Sequence, residues 1–457
     1  VQAFLLDAMR ETEREQWIQR VIKALDAVFP EVTHEVRGQC ERLLPHILTI
    51  RAVIPDYAGG QELAKVLRKA ADYLLERAQY KQAEPLYEQA LRIGEQNLGS
   101  EHPDLTHPLN GLALLNMEQG NYEQAKPLYE RALRIREQAL GPEHPDVAYP
   151  LTGLALLYHR QGKYEQAESL YERALSIRER ALGPEHHDLA RPLNALALLN
   201  MEQGNYEQAR SLYERALHIE EQVLGAGHPD VAYPLSNLAI LYSFQGNYEQ
   251  AKSLYERAQH IWEQALGPEH PMVAYPLNNL AALYTEQGHY EQAKPLYERA
   301  LRIREQALGP EHHLVASTLS GLADLHTEQG HYEQAKPLHE RALRIREQAL
   351  GPEHPKVADS LNGLAALSSK QGRYEQAKRL YLQSLHIREQ HLGQNHPDTA
   401  QTLHDLALFY QKQDNLNEAR ALAERALKIR TQSLGDVHPK TIATRELYAH
   451  LVQEQAC

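Results

Sequence analysis

A 42-residue repeat limits what this chain can fold into more than any other feature of its sequence. The phrase YEQA stands at seven positions, each 42 residues after the last: Tyr122, Tyr164, Tyr206, Tyr248, Tyr290, Tyr332 and Tyr374. The histidine of the segment GPEHP, or of a close variant, keeps the same spacing from His102 to His438 without insertion or deletion. Repeats of this length are supersecondary units that bury their apolar faces by stacking. The 457 residues therefore predict a stacked array and not a few separate globular domains.

The first helix of each repeat is predicted from apolar spacing. In LTGLALLYHRQ, residues 151–161, Leu154 and Leu157 share one face, and Gly162 ends the helix in a left-handed conformation. A proline a few residues inside a helix removes a backbone hydrogen bond and clashes with the preceding turn. We therefore expect five first helices to start late or to kink, and those with Thr318, Ser360 or Thr402 at this position to run straighter. The five prolines are Pro108, Pro150, Pro192, Pro234 and Pro276.

The second helix is predicted from Tyr122 to Leu140, a length of roughly 30 Å, with Gly141 as its stop. Asn121 is expected to cap its start through the side chain. Along it, small alanines alternate with tyrosines such as Tyr129. The alanines are expected to let the paired helices approach closely, and the tyrosines to fill the space between successive pairs.

These residues resemble the tetratricopeptide repeat (TPR), in the 42-residue form found in kinesin light chains. The family's signature positions are occupied in the first full repeat by Leu112, Ala113, Tyr122, Ala125, Tyr129 and Ala132. The resemblance implies an all-α, right-handed superhelical solenoid of TPR hairpins. We expect nine hairpins over residues 57–439, a capping helix over 440–457, and a helical linker or N-terminal cap over 1–56.

The first 56 residues do not follow the period. REQWIQRVIKALDAVFP and QCERLLPHILTIRAVIP are each predicted to form a helix that ends at a proline, Pro30 and Pro55. Together with VQAFLLDAM they are similar to the stretch that joins the winged-helix region to the TPRs in bacterial NB-ARC–TPR proteins, which are STAND-class, NLR-like ATPases. A simple capping bundle is the alternative. The resemblance implies a STAND-class ATPase in the parent protein. No G-x-x-x-x-G-K-[ST] nucleotide-binding loop occurs in this chain, so the ATPase is expected upstream of it.

Composition excludes several function classes. The net charge of −13 disfavours nucleic-acid backbones, which require basic patches. No apolar run long enough to span a membrane is present. The two cysteines, Cys40 and Cys457, form no disulfide framework, so a reducing, cytoplasmic location is expected. No cofactor is expected.

Neither catalysis nor metal binding is favoured by the 25 histidines. Most recur once per repeat in the loop, and packed helices 8–10 Å apart cannot bring successive loops to one Zn²⁺ at about 2.1 Å. His186-His187 arises where the loop proline is replaced. We expect structural loop contacts here and no enzyme activity.

Recognition is expected where the repeats differ. If the fold is TPR-like, one stripe of each first helix lines a concave groove that suits an extended peptide. The ninth-position residues Leu156, Leu198 and Ile240 either line this groove or pack on the next helix. The full set of candidate ligand-binding residues is Tyr149, Tyr233, Tyr275, Arg191, Asn110, Asn194, Asn278, Asn279, Asn237, Ser236, Leu156, Leu198, Ile240, Met117, Met201, His159, Arg160, Glu202 and Phe244.

Two functions from different classes follow. The first is a ligand-sensing module of a STAND/NB-ARC-type regulator, in which a protein or peptide trigger binds the groove and the binding is relayed to the upstream ATPase. The second is a constitutive scaffold of the kinesin light chain kind, with no switch attached. A small-molecule sensor is a third, weaker possibility.

Overall fold

The computed structural model describes residues 11–30, 37–53 and 60–456, and these form helices joined by short loops. Two compact units are distinguished, residues 1–154 (unit 1) and 155–457 (unit 2). Unit 1 contains α1 (Glu11–Val28), α2 (Arg37–Val53), α3 (Gly60–Glu76), α4 (Tyr80–Leu98), α5 (Thr106–Glu118), α6 (Tyr122–Leu140) and the start of α7 (Ala148–Arg160). The rest belongs to unit 2.

Unit 2 continues with helices of alternating length. They are α8 (Tyr164–Leu182), α9 (Ala190–Glu202), α10 (Tyr206–Leu224), α11 (Ala232–Phe244), α12 (Tyr248–Leu266), α13 (Ala274–Glu286), α14 (Tyr290–Leu308), α15 (His313–Glu328), α16 (Tyr332–Leu350), α17 (Pro355–Lys370), α18 (Tyr374–His391), α19 (Pro397–Gln411), α20 (Leu416–Leu434) and α21 (Pro439–Ala456). From α9 onward each first helix packs against the second helix of its own pair, and α21 packs on α20. The predicted all-α TPR solenoid is confirmed.

The segment before the repeats is helical where the structure describes it. Ile18, Ile22 and Ile47 of α1 and α2 are buried, and both helices pack on α3. The Lys69 ammonium of α3 donates to the Asp26 carboxylate at 3.0 Å and to the Phe29 carbonyl at 3.2 Å. The two helices thus cap the first hairpin. The segment VQAFLLDAM, Pro55 and Cys457 lie outside the described residues.

The loop histidine of each repeat is the N-cap of the short helical turn or helix that follows it. In all nine loops from His102 to His438, the Nδ1 atom accepts a hydrogen bond from the backbone N–H two residues later, at 3.0–3.3 Å. A helix start leaves backbone N–H groups without intrahelical acceptors, and a side-chain acceptor satisfies one of them. The period of the histidines is therefore explained by structure, as expected.

The prolines delay the first helices as predicted. Where a proline is present, a separate three-residue 3₁₀ turn such as Pro145–Val147 comes first, and the α-helix has 13 residues, as in α5 and α11. Without it, α15 and α17 begin directly after the loop histidine and have 16 residues. Proline disfavours the α conformation of the residue before it and lacks an N–H. The α-helix therefore begins so that the proline lies in its first turn, where backbone N–H groups have no intrahelical acceptor.

The second helices begin and end at the predicted residues, but the predicted side-chain cap at their start is absent. Gly141 caps α6 by donating its backbone N–H to the Glu137 carbonyl. The Asn121 side chain makes no capping bond; it instead donates to the Gln119 side chain at 3.4 Å. The predicted side-chain cap is wrong, because ψ of Asn121 is 59°, and the start of α6 is secured by backbone bonds from Gln124 and Ala125 to the Asn121 carbonyl.

Tyrosines of the second helices fill the space between pairs, as predicted. Ala125 and Ala132 are fully buried and Tyr129 is 3% exposed. A Cβ on Gly153, in the next first helix, would lie 2.3 Å from Tyr129 Cε1. In the last hairpin Ala423 stands where the ring would be and Leu447 where the glycine would be, and both are buried in one cluster. Where the tyrosine is replaced by a smaller residue, the facing glycine is replaced by a larger one. The total side-chain volume at the contact therefore stays similar.

The turn between the two helices of a hairpin requires a left-handed residue. Glycine occupies it in seven hairpins, but Ala78 (φ 54°) and Asp414 (φ 59°) hold it in the first and last. A left-handed conformation costs an alanine about 1–2 kcal/mol, whereas aspartate tolerates it better. We expect Ala78→Gly to increase the free energy of unfolding by about 1 kcal/mol and Asp414→Gly to increase it less. Urea denaturation followed by circular dichroism measures both, and an Ala78→Gly variant less stable than the wild type contradicts this account.

Candidate functional site

Two depressions in unit 2 lie along the first-helix residues that the sequence singled out. The larger has a volume of about 550 Å³. Seven candidates form its first-helix wall: Leu156, His159, Arg160, Leu198, Met201, Glu202 and Phe244. The smaller, of about 210 Å³, is lined by Ile240, Phe244 and Asn279 together with Glu286. We call this combined surface the unit-2 groove. Its two parts share Phe244, which is 59% exposed.

The ninth-position residues satisfy both alternatives left open by the sequence. Leu198 and Ile240 are only partly buried, and both pack against a cluster containing Tyr213 and Leu238. Leu156 and Leu198 also line the larger depression, and Ile240 lines the smaller one. These residues therefore contribute to packing between hairpins and still present apolar surface to the groove.

The two candidate tyrosines of unit 2 flank a buried tryptophan. The ring of Trp262, from second helix α12, lies 5.2 Å from that of Tyr233 and 6.4 Å from that of Tyr275, edge to face. Trp262 is fully buried, whereas Tyr233 is 44% exposed. Burial raises the pKa of both tyrosines, so both are neutral hydroxyl groups. Sequence reasoning missed Trp262, although it stands where neighbouring repeats have Glu220 and Arg304.

The candidate asparagines form contacts among themselves. Asn237 Nδ2 donates to Asn194 Oδ1 at 3.5 Å, and Asn194 Nδ2 donates to the Ala190 carbonyl at 2.9 Å. The buried Oδ1 atom of Asn278 has no hydrogen-bond partner in the described structure. An acceptor of this kind is a site at which a ligand N–H group would gain a hydrogen bond.

A polar cluster closes the N-terminal part of the unit-2 groove. The Glu202 carboxylate contacts His159 Nε2 at 2.8 Å and accepts a hydrogen bond from Tyr164. His159 is buried, while Arg160 is exposed. Burial, followed by the Glu202 charge, raises the pKa of Tyr164. His159 and Glu202 are thus held by each other, and Arg160 remains at the surface.

Several candidates offer a ligand little surface. Asn110 and Met117 in unit 1 are 4% and 3% exposed, and Ser236 and Met201 in unit 2 are 0% and 7% exposed. Each contributes to packing inside its own unit. We therefore omit Asn110, Met117 and Ser236 from the proposed ligand contacts. Met201 is kept because it lines the larger depression. The remaining candidates, Tyr149 in unit 1 and Arg191 in unit 2, are exposed.

A ladder of buried arginines was not predicted. Arg304, Arg346, Arg388 and Arg430 recur 42 residues apart on second helices and are at most 7% exposed. Each donates through Nη1 to a hydroxyl 14 residues later, respectively Thr318, Ser360, Thr402 and Thr444. Burial lowers the pKa of Arg304 to about 10. The available signal was the replacement of proline by Thr or Ser in the same repeats.

Metal binding gains no support from the described residues. The one group of three potential ligands that the structure describes is His186, His187 and Asp188. His186 Nδ1 already accepts the capping bond from the Asp188 N–H at 3.2 Å, and His187 and Asp188 are exposed. Nor does any helix in the described ranges have the length and apolar character needed to cross a bilayer.

Comparison with known proteins places these repeats. A tetratricopeptide repeat model matches residues 104–180, 150–217, 188–264, 235–306, 277–348 and 314–390. A second tetratricopeptide repeat model matches 63–104 and 399–440. A nucleotide-binding leucine-rich repeat (NLR)-like protein of Hyaloscypha variabilis is 34% identical over 92 residues, which are 20% of this chain and 9% of that protein. The chain therefore matches only a small part of this relative's length.

One solved structure supports the fold, and two others are similar in sequence. The Rap protein complexed with Competence and Sporulation Factor has a TM-score of 0.54 at 15% identity, covering 81% of this chain and 99% of that one. BtubC (BKLC) from P. vanneervenii is 28% identical with a TM-score of 0.41, covering 52% of this chain and 92% of that one. Kinesin light chain TPR-like repeats from Podosopora anserina are 27% identical with a TM-score of 0.38, covering 45% and 98%. The chain belongs to the tetratricopeptide repeat family, whose folds serve as protein-binding scaffolds.

Proposed function

We propose that the unit-2 groove binds an extended peptide or protein segment, and that this binding is the sensing step of an NLR-like, STAND-class regulator. The observation that carries the proposal is the run of partly exposed apolar side chains, Leu156, Leu198 and Ile240, one per hairpin, beside the exposed ring of Phe244. A row of apolar side chains at a constant interval suits a ligand that presents anchors at intervals.

Polar groups along the same surface would position the backbone of such a ligand. Arg160 and Glu202 line the larger depression, and Asn279 and Glu286 line the smaller one. Extended peptides carry an N–H and a C=O at each residue, and these must find partners when they leave water. The groove therefore combines apolar anchors with polar sites for the peptide backbone.

The sensing role is supported by the NLR-like relative and by the helical segment that precedes the first hairpin. In this proposal the parent protein carries the nucleotide-binding part, and the trigger prefers one conformation of the whole receptor. A constitutive scaffold would bind through the same groove without a conformational change. Hydrogen exchange of the free and ligand-bound chain distinguishes the two, since a scaffold shows protection confined to the groove.

The groove itself is tested with peptides selected from a random display library on the intact chain. We expect Phe244→Ala and Tyr233→Ala to weaken binding at least tenfold each, about 1.4 kcal/mol, measured by fluorescence anisotropy. Leu382→Ala is the matched control, because Leu382 is 44% exposed but lies on second helix α18. Selected peptides that bind all three variants equally would exclude this groove as the binding site.

A further inference from the structure

Two loops near the C-terminal end of unit 2 contact two turns near its N-terminal end. His396 Nε2 lies 3.3 Å from the carbonyl oxygen of Arg160, 236 residues earlier in the chain. The ring of His438 lies against Gly204, where an added Cβ would be 3.1 Å from His438 Cδ2. The same loop position thus meets the same turn position twice, one repeat apart, so the contact follows from the geometry of the stacked repeats.

The hydrogen bonding of these histidines defines their tautomer. The Nδ1 atoms of His396 and His438 accept the capping bonds from Asp398 and Lys440, both at 3.1 Å, so Nδ1 carries no proton. Burial lowers the pKa of His396 and lowers that of His438 to about 4, so both rings are neutral near pH 7. The ring proton therefore resides on Nε2 in both histidines, and in His396 this Nε2 donates to the Arg160 carbonyl.

The turns receive the loops because glycine leaves room there. A Cβ on Gly162 would lie 3.0 Å from His396 Cδ2 and 3.1 Å from Pro397 Cδ, and one on Gly204 would lie 3.1 Å from His438 Cδ2. At the equivalent Gly246 and Gly288, a Cβ would have nothing within 4 Å. The imidazole rings thus pack directly on two turn backbones, and the equivalent turns of the following hairpins remain open.

Apolar and charged groups extend the contact. Leu434, at the end of α20, is 8% exposed and belongs to one buried cluster with Tyr164 and Leu196. The Asp398 carboxylate is close enough to Tyr164 to raise its pKa, and Glu202 acts likewise on His396. The interface therefore combines an apolar anchor, an imidazole hydrogen bond from His396, the packed ring of His438 and nearby polar groups.

The loops also cover the groove. The larger depression, lined on one side by Leu156, Leu198 and Phe244, is lined on the other by His396, Pro397, Asp398, Leu434, His438 and Lys440. A ligand that reaches the first-helix wall at this point must enter beside or displace the loops. Access and loop contact therefore compete for the same space.

We propose that the loops at His396 and His438 form an intramolecular clasp on the turns at Gly162 and Gly204, and that opening of this clasp admits ligand to the N-terminal part of the unit-2 groove. The clasp is an interaction surface whose partner is an earlier edge of the same chain. Its existence is independent of the proposed function, whereas its role in ligand entry rests on that function.

The test uses substitutions that keep the helix cap and remove the clasp donor. Asparagine is a good N-cap, but its short side chain cannot reach the turn carbonyl. The double variant His396→Asn/His438→Asn is therefore compared with His186→Asn/His228→Asn. These control histidines make the same capping bond, but their side chains are 34% and 39% exposed, against 7% for His396.

Hydrogen exchange with mass spectrometry, on the intact chain near pH 7, reports on the turns at 160–166 and 202–206. We expect exchange there to be several-fold faster in the clasp variant and unchanged in the control, with equal helicity by circular dichroism. If both double variants leave these turns as protected as in the wild type, the clasp is overturned. If both double variants lose helicity, Leu434→Ala is used instead of the double variant His396→Asn/His438→Asn. Hydrogen exchange of the same two turns is then compared with that of the wild type.

Ligand entry is tested separately with peptides selected on the intact chain. The clasp variant should bind those that need Phe244 with an association rate several-fold above that of the wild type, measured by stopped-flow fluorescence. An unchanged rate together with faster turn exchange would refute the gating role alone. A failure to select any Phe244-dependent peptide would refute the proposed function and leave the exchange result standing.

Discussion

Trp262→Ala is expected to destabilise unit 2 by about 3–5 kcal/mol, the usual cost of truncating a fully buried aromatic residue. Trp262 has no exposed surface and packs with Ile261, Val273, Leu277 and Ile303 in one buried cluster. The surrounding helices are held in a regular stack, so they can collapse only partly into the cavity. Urea denaturation followed by circular dichroism measures the loss, and hydrogen exchange of α12 and α13 locates it.

Trp262→Phe is the matched control. It retains an aromatic ring beside Tyr233 and Tyr275 and removes the indole N–H, which is buried without a hydrogen-bond partner. A buried unpaired donor is itself costly, so its removal offsets part of the lost volume, and we expect a loss of about 1 kcal/mol. A Trp262→Ala variant as stable as Trp262→Phe would show that the ring does not support the stack.

Arg388→Ala is expected to cost about 2–4 kcal/mol, because a buried charged donor to several acceptors contributes more than a typical hydrogen bond, whereas the half-exposed Asp359 adds little. Arg388 Nη1 donates to the Asp398 carbonyl at 2.7 Å and to Thr402 Oγ1 at 2.6 Å, and Nη2 donates to Asp359 Oδ1 at 2.5 Å. Removal of the guanidinium takes this donor from the Asp398 carbonyl and leaves the buried Thr402 hydroxyl with the longer contact from Asn362 Nδ2 at 3.2 Å. It also removes the contact between α18 and the start of α19.

Two further substitutions separate charge from packing. Arg388→Met keeps most of the buried stem and should cost less than Arg388→Ala, since well-packed apolar replacements of buried ion pairs are often tolerated. Arg388→Lys supplies one ammonium in place of a planar fork, so it cannot serve all three acceptors and should remain destabilised. Equal stability of the Ala and Met variants would show that hydrogen bonding dominates. Stability of Arg388→Ala within about 1 kcal/mol of the wild type would contradict the prediction.

Helix ends and hairpin packing could be predicted because they depend on residues close in the sequence. A glycine in a fixed place follows each second helix, and Pro150 and its equivalents delay the start of five first helices by three residues. The Tyr129 ring and Gly153 are complementary across one hairpin junction. Such ring-on-glycine contacts recur at Gly111, Gly153, Gly321 and Gly363, so a period in the sequence is enough to reveal them.

The candidate site could be predicted only in part. The exposed Phe244 and Tyr233 were found from the residues that differ between repeats, but Trp262 was missed because it lies on a second helix, outside the stripe that was considered. Asn110 and Ser236 were included because their side chains are polar, yet both are buried. A stripe read from the sequence gives the direction of a side chain and not how deeply the neighbouring hairpin covers it.

The sequence by itself determined the repeat, the helix boundaries and the fold class, because each depends on local spacing and on contacts between adjacent hairpins. Only the tertiary structure decided which side chains face open space, and that His396 meets Arg160. The physical reason is that each hairpin is rotated slightly relative to the one before it, by an amount that the packing between them sets. These rotations add up over several hairpins, and their sum determines which distant loops and turns meet. His396 and His228 make the same capping bond, yet His396 also meets the distant carbonyl of Arg160, and the capping position alone does not reveal this.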